Sequence, residues 1–383
     1  MTKVMLKDVI KRAQTKVDKD NTNLLYYVGG EHIDSEHIRV QKRGLIAGST
    51  IGPMFYYGFK AGDFLLVSRN PHLKKAGLVD FDGICSEKTF VLESSNEKKL
   101  LPEFLPFILQ NERFWSYAFQ HRHGSTNTFI NWSTLSNYEF DLPDLETQRK
   151  LATVLWSINN TIESYKNLIL ATDELVKSQF IELFGLLPEQ FKHDTVELGS
   201  IADMVSGGTP SSKHPEYYGD RYPFVTTPCL GNNYISEEDA VNWLSESGVQ
   251  HSSTHIIPPY SVMYGSRVGV GKSSINTCEM CTNQDILSFY NIDISRYDLL
   301  FIKKVMDQYF DYIDTQKRGA TIKGVPSDVV KAIRIPIVPI EEQRAFAKFT
   351  EQSDKSKFGK EMCDKWILEI KNLCCQMYLT LRQ

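Results

Sequence analysis

No run of about 18 consecutive apolar residues occurs in the chain, so nothing in it reads as a membrane span. The opening residues MTKVMLKDVIKRAQTKVDKD interleave charge with apolar side chains and lack the hydrophobic centre of a secretory signal, so a cytoplasmic protein is expected. Cysteine is scarce. There are seven in 383 residues, an odd number, and Cys374 and Cys375 are neighbours, which argues against a disulfide framework and for reduced thiols. Nor is there a basic excess: a net charge of -4 and a pI near 6.2 exclude a simple polycationic nucleic-acid binder and direct attention to local clusters. No Ser-His-Asp or paired-carboxylate arrangement can be located. What is present is 42% hydrophobic residues in a chain long enough for two or three cored domains.

Three short motifs suggest chemistry and then fail on context. Ser266-Arg-Val-Gly-Val-Gly271-Lys272-Ser273 is close to a phosphate-binding P-loop, but serine replaces the first glycine. The SSINTCEMC that follows is β-branched and polar where that motif needs a helix N-terminus. A basic, glycine-rich loop touching DNA phosphates suits it better. Ile257-Pro-Pro-Tyr260 has the shape of an amino-methyltransferase tetrapeptide, yet isoleucine cannot accept a hydrogen bond from a target amine. Cys278-Glu-Met-Cys281 has zinc-ligand spacing without a second ligand pair.

The organising stretch is Glu146 to Phe184. Leu151, Val154, Leu155, Ile158, Ile162, Tyr165, Ile169, Val176, Phe180 and Leu183 recur at helical spacing and predict one long helix with a buried stripe, stopped by Gly185 and Pro188. Such a helix spans roughly 58 Å at ~1.5 Å per residue, which makes it a spacer. The tail from Glu341 to Leu381 repeats the style and is expected to pack against it antiparallel. Before each helix lies a strand-rich unit with Gly, Pro, Asn and Asp turns, and each unit ends in a helix, 102–121 or 296–315.

The two endings are one segment written twice. Gly124, Thr126, Glu146, Gln148 and Arg149 align without a gap onto Gly319, Thr321, Glu341, Gln343 and Arg344, a constant offset of 195 (319 − 124 and 343 − 148). Extended upstream, the same offset pairs Phe104 with Leu299, Leu105 with Leu300 and Trp115 with Phe310. The expected fold is α+β: two strand-rich domains, 1–145 and 186–340, separated by a pair of long antiparallel helices, 146–185 and 341–383, with an internal pseudo-two-fold repeat.

Basic side chains gather in predicted loops of both halves: Arg69 with Lys74 and Lys75, Arg122 among histidines, Arg267 with Lys272, and Lys317 with Arg318 and Lys323. Thr126, Asn127, Ser211, Tyr217 and Gln284 lie close by in sequence and offer groups for phosphates or base edges. Any one cluster could be a solvated surface. Pairing of Arg69 with Arg267 and of Arg122 with Lys317 across the repeat favours a DNA-facing role.

Taken in order, the motifs resemble the specificity subunit of type I restriction-modification enzymes along essentially the whole chain. The carriers in the second half are Leu198-Gly199, Ser206-Gly-Gly-Thr-Pro210, Tyr218-Gly219, MYGSRVGVGKSS, Asn283-Gln284-Asp285 and IPIVPIEEQR. The first half keeps VMLKDV, LLVSRN, RHGST and DLPDLETQR but has Gln14-Thr-Lys-Val17 where the GGTP segment would fall. The resemblance implies a non-catalytic DNA reader with two target recognition domains, each reading half of a split site, and helices that set the spacer and dock two methyltransferase subunits. It adds Ser125, Gly208, Thr209 and Thr321 to the expected DNA-binding set. It also implies restriction-translocase subunits as partners, with S-adenosylmethionine, ATP and Mg on those partners and no cofactor on this chain. Two alternatives stay open: the specificity portion of a fused restriction-methylation enzyme, and a coiled-coil scaffold with no DNA role.

Overall fold

A computed structural model describes residues 2–35, 37–186, 190–315 and 324–353. The chain divides into two compact units between Ser164 and Tyr165. The expected α+β class and internal repeat are both present; the tail helix beyond residue 353 lies outside the described residues.

The first unit carries β1 (Thr2–Met5), β2 (Ile10–Ala13), β3 (Tyr26–Val28), β4 (Gly44–Leu45) and β5 (Phe55–Phe59), then β6 (Phe64–Val67), β7 (Ala76–Leu78), β8 (Gly83–Ser86), β9 (Thr89–Ser94) and β10 (Glu139–Leu142). These form sheets of order β2-β9-β6-β7 and β4-β3-β8-β5, with β1 and β10 paired antiparallel as a separate two-stranded staple. Every residue of β6, Phe-Leu-Leu-Val, is buried, as an apolar central strand covered on both faces must be. Val28, Ile33, Tyr57, Phe59, Leu65 and Val91 form the core beneath it.

The second unit repeats this plan with β11 (Thr195–Glu197), β12 (Asp203–Ser206), β13 (Tyr218–Val225), β14 (Tyr234–Ile235) and β15 (Asn242–Leu244), then β16 (Ile256–Ile257), β17 (Val262–Gly265), β18 (Ser273–Asn276), β19 (Met280–Thr282), β20 (Ile286–Tyr290) and β21 (Arg334–Pro336). Its sheets run β12-β20-β17-β18-β14 and β15-β13-β19-β16, and β11 with β21 forms the staple. Strand for strand this is the first order with β14 added at one edge. Even the single parallel pairing between β3 and β8 recurs between β13 and β19. In both units the N–H that follows the first staple strand donates back across it, Leu6 to the Tyr138 carbonyl and Leu198 to the Ile333 carbonyl, each at 2.9 Å.

Short helices α1 (Leu6–Val9), α2 (Leu105–Leu109), α3 (Glu112–Gln120) and α4 (Trp132–Leu135) complete the first unit before the long α5 (Leu145–Phe184). The second unit has α6 (Leu198–Ile201), α7 (Glu246–Gln250), α8 (Leu299–Gln308), α9 (Phe310–Thr315) and α10 (Ser327–Lys331), and a further helix is described over 340–353. The upstream extension of the repeat needs correction. Gln148 Oε1 accepts from Leu101 N–H and Gln343 Oε1 from Asp298 N–H, so Leu101 and Asp298 are counterparts at an offset of 197 (298 − 101). Phe104 therefore corresponds to Phe301 and Leu105 to Ile302. The two-residue difference is absorbed at the Gln110–Asn111 break between α2 and α3. Beyond it the buried pair Ala118 and Ile313 is back at 195 (313 − 118), and so are Trp115 and Phe310, although Trp115 is buried and Phe310 is exposed.

Helix α5 begins where Asp144 caps it, its carboxylate accepting from Thr147 N–H (2.8 Å) and Oγ (3.2 Å). Those hydrogen bonds hold the Asp144 carboxyl below its ordinary value. It stops at Gly185, whose φ of 98° and close approach to the Gln190 carbonyl leave no room for a Cβ. Of the predicted buried stripe only Val176 and Phe180 are buried; Leu151, Leu155, Ile158, Ile162 and Ile169 are half-buried, and Val154, Tyr165 and Leu183 are exposed. Val176 and Phe180, with Phe184, join Phe301 and Phe346 in the second unit's core, and off the stripe Leu168, Leu170 and Leu175 are exposed as well.

Candidate nucleic-acid interface

Each unit holds out one arginine on the same backbone scaffold. In the first, Ser68 ends the buried run of β6 and donates both its N–H (2.8 Å) and its Oγ–H (2.7 Å) to the Lys88 carbonyl. Its own carbonyl accepts from Ile130 N–H at 2.9 Å. In the second, Ser266 follows β17 and donates N–H (2.8 Å) and Oγ–H (3.1 Å) to the Asp285 carbonyl, and its carbonyl accepts from Val325 N–H at 2.7 Å. The next residues, Arg69 and Arg267, are both exposed. A serine pinned at three points forces the following side chain out of the sheet. The Ser-Arg pair after an apolar strand is the local signal for this arm.

Around Arg69 the segment 123–129 folds back on itself, His123 and Phe129 exchanging N–H···O bonds of 2.7 and 2.9 Å. Phe129 bridges Arg69 on its other side, and Asn70 N–H donates to the Thr128 carbonyl at 2.7 Å. The exposed Ser125, Thr126 and Asn127 at the tip of this loop are thereby carried on a segment anchored to the Arg69 strand. Arg122 lies over the Phe119 ring at 3.8 Å and donates to the Phe119 carbonyl at 2.7 Å, leaving it exposed and braced. The two lysines differ from this pattern. Lys74 Nζ sits 2.7 Å from Glu112 in the first turn of α3, and the half-buried Lys75 donates to the Gly30 carbonyl at 2.6 Å, which ties two loops together.

In the second unit the loop from Arg267 to Lys272 joins β17 to β18, two antiparallel neighbours, and runs into a strand. A P-loop needs a helix there, so the phosphate-cradle geometry is absent at this loop. Lys272 is exposed at the far side of the turn. Thr209 Oγ–H donates to Gln284 Oε1 at 2.6 Å, and Gln284 neighbours the Asp285 carbonyl that anchors Ser266; Thr209, Gln284 and the Arg267 arm are thus brought together. Gly208 is buried. Its N–H donates to the Thr282 carbonyl at 2.9 Å, and a Cβ there would stand 2.1 Å from Ser253 Oγ, so it lets two segments approach beneath Thr209. Ser211 is exposed and its carbonyl closes a turn with His214 N–H at 3.2 Å. Lys317, Arg318, Thr321 and Lys323 lie outside the described residues.

The cysteine pair belongs to the core. Cys278 packs beside Met263 and Met280, while Cys281 lies in a separate cluster with Phe224 and Leu244. Burial pushes the Cys281 thiol up to about 11, the reverse of what a thiolate ligand needs. Among the described residues no group of His, Cys, Asp and Glu is arranged to hold a metal ion, and no helix is long and apolar enough to cross a membrane.

Two units of one sheet plan, each holding out an arginine and running into a helix, make a duplicated two-domain protein. The chain belongs to the family of the type I restriction modification DNA specificity domain, whose model matches it twice, over residues 3–171 and 189–361. The specificity subunit of the type I restriction enzyme HindI from Haemophilus influenzae is 22% identical over 338 residues, covering 68% of this chain and 73% of the relative. The crystal structure of the type I restriction-modification S subunit from M. genitalium aligns over 97% of this chain and 94% of that one, with a TM-score of 0.59 and 13% identity. A chain from work on complex assembly and conformational transition of the type I R-M system aligns over 97% and 95%, with a TM-score of 0.52 and 20% identity. The expected resemblance is therefore established, and with it the α+β fold with two recognition domains.

Proposed function

We propose that the chain reads a two-part DNA site, one half with each recognition domain, 1–145 and 186–340, and acts without catalysis of its own. The observation that carries this reading is the duplicated Ser-Arg arm: two exposed guanidiniums on matching three-point anchors, as expected for side chains that meet phosphates or guanine edges. Arg122, Ser125, Thr126 and Asn127 extend the first surface, and Thr209, Ser211, Lys272 and Gln284 the second. Lys74, Lys75 and Gly208 support these loops, and Lys317, Arg318, Thr321 and Lys323 join the second surface through the sequence repeat. The long helices 146–185 and 341–383 set the spacer. Exposed Leu168, Leu170 and Leu175 suit the docking of methyltransferase subunits, two per chain. Methylation with S-adenosylmethionine, and cleavage driven by ATP and Mg in restriction subunits, take place on those partners, in the cytoplasm. The mild acidity of this chain fits such sharing, because partners supply much of the positive surface that grips phosphates.

The test is exchange of residues 186–340 for the matching unit of a related chain, followed by mapping methylated positions in cells that also hold the methyltransferase partner. One half of the recognised sequence should change and the other persist. Simultaneous change of both halves would refute separate readers.

A further inference from the structure

One contact outside the reading loops is made at the same place in both units. In the first, residues 38–40 run beside the end of β7: Arg39 bridges Leu78 in parallel, Leu78 N–H donates to the Ile38 carbonyl at 2.7 Å and Val40 N–H to the Leu78 carbonyl at 2.9 Å. In the second, β14 lies in parallel on β18 with Tyr234 opposite Ile275, and Ile275 N–H donates to the Asn233 carbonyl at 2.9 Å. Leu78 faces Phe64 across the sheet and Ile275 faces Val262, the opening residues of β6 and β17. Arg39 and Tyr234 thus occupy one topological position.

From that position both side chains reach a helix. The Arg39 guanidinium donates to Asn160 Oδ1 at 2.9 Å and Glu163 Oε2 at 2.6 Å, and lies 4.6 Å from the centre of the Trp156 ring. Positions 156, 160 and 163 share one face of α5. Trp156 is itself held, its Nε1–H donating to the Glu103 carbonyl at 2.8 Å and its ring meeting Phe107 edge-on. In the second unit Tyr234 O–H donates to Glu351 Oε1 at 3.0 Å. Glu351 lies 195 residues after Trp156 (351 − 156), the offset that relates Gln343 to Gln148. The same sheet edge touches the same helical turn twice, with different chemistry.

Each unit is already fastened at the start of its helix by Gln148 or Gln343. Trp156 adds a hold on Glu103 and Phe107, and Phe346 one on the second core, but fastenings of this kind do not hold the sheet edge and leave it free to rock. A further one at residue 160, about 18 Å along from Gln148 at ~1.5 Å per residue, removes that freedom. We propose that this sheet edge is a strut, and that Arg39 and Tyr234 are positioning residues that fix the angle between each recognition domain and its helix. Given the two-reader function proposed above, they set how strictly the spacer between half-sites is enforced.

The test uses the full chain with its methyltransferase partner, on DNA carrying the mapped half-sites at the native spacing and at one base pair shorter or longer. Arg39→Ala should lower the ratio of methylation at native over altered spacing at least about fivefold, because the tilt it releases is comparable to a base-pair rise of ~3.4 Å. Arg39→Lys should restore part of that ratio, since the ammonium still reaches Glu163 but does not reproduce the fork and the stacking. Tyr234→Phe removes one hydroxyl from a surface contact and should relax spacing from the other side without unfolding the unit. Lys42→Ala, in the surface pair with Asp34, is the control and should change nothing. Unchanged spacing ratios in both Arg39→Ala and Tyr234→Phe overturn the strut. Loss of half-site discrimination by the unmutated complex would instead overturn the two-reader function.

Discussion

Replacing Gln148 by methionine tests whether the first unit and its helix are one cooperative body. Gln148 is fully buried, and its side chain closes three bonds to backbone: it accepts from Leu101 N–H at 2.9 Å and donates to the Lys99 and Pro143 carbonyls at 2.7 and 2.8 Å. Methionine has nearly the same length and no hydrogen-bonding groups to offer. The orphaned N–H costs about 2 kcal/mol and each carbonyl about 1, offset by about 1 from burying an apolar chain, so a net loss of about 3 kcal/mol follows. For a domain worth about 5–15 kcal/mol that is a large fraction, equivalent to roughly 6–12 °C in Tm at this size. Gln343→Met should cost the second unit the same, because Gln343 meets Asp298 N–H and the Arg296 and Val338 carbonyls in matching fashion. Urea unfolding followed by hydrogen exchange on separate peptides assigns each loss to its unit. Gln148→Glu adds a signature: it turns a carboxylate oxygen toward two carbonyls, so it should be worse than methionine at neutral pH and recover in acid as it gains a proton. A loss below about 1 kcal/mol in both methionine variants, or one variant loosening both units equally, refutes the reasoning.

Arg69→Ala and Arg267→Ala should each flatten the logarithmic salt dependence of DNA binding by about one unit and weaken binding through one half-site only, as filter or anisotropy titrations at several salt concentrations will report; unchanged slopes assign both arms to the solvated surface. Asp307 is placed 2.9 Å from the buried Lys303, 3.8 Å from Lys304 and 2.6 Å from Ser273 Oγ. Burial alone would raise its carboxyl, but these partners outweigh it and hold it below the ordinary 3.8. Stability from this group is present above 3.8 and is lost as pH falls through the lower folded value. Asp307→Asn should therefore be less stable at neutral pH and flatter in acid titration of the second unit, whereas an acid profile parallel to the unmutated chain removes Asp307 from the account.

Much of the architecture was legible because helix α5 and the repeat rest on local patterns. Ten apolar positions at helical spacing mark α5 without reference to anything else, and identical Glu-x-Gln-Arg segments mark the duplication. The burial of those positions was not legible, since Tyr165 and Val176 satisfy the same periodicity and only packing distinguishes them. The upstream register failed for a related reason. Two extra residues at Gln110–Asn111 sit between two apolar helices, where sliding one apolar residue onto another leaves no trace in composition. At the site, Arg69 and Arg267 stood out through their shared context, but Lys75 could not be told from a free surface lysine because its partner is the carbonyl of Gly30, 45 residues away. Arg39 left no sequence signal at all: its partners lie 121 and 124 residues downstream.

The two-stranded staples have a consequence for how such a chain is rewritten over time. Thr2 stands opposite Leu142 and Thr195 opposite Pro336, so each recognition domain enters and leaves through neighbouring strands of one small ladder. Everything between is a closed excursion, comparable to a long insertion at a single surface point. A recombination event with ends in the codons of the two staple strands therefore replaces a whole reader while the ladder, the buried glutamine and the helix re-form unchanged. Heritable change of DNA specificity then needs two crossovers in short, structurally constrained segments, and the match left to the incoming domain is the side chain that meets the helix where Arg39 or Tyr234 does.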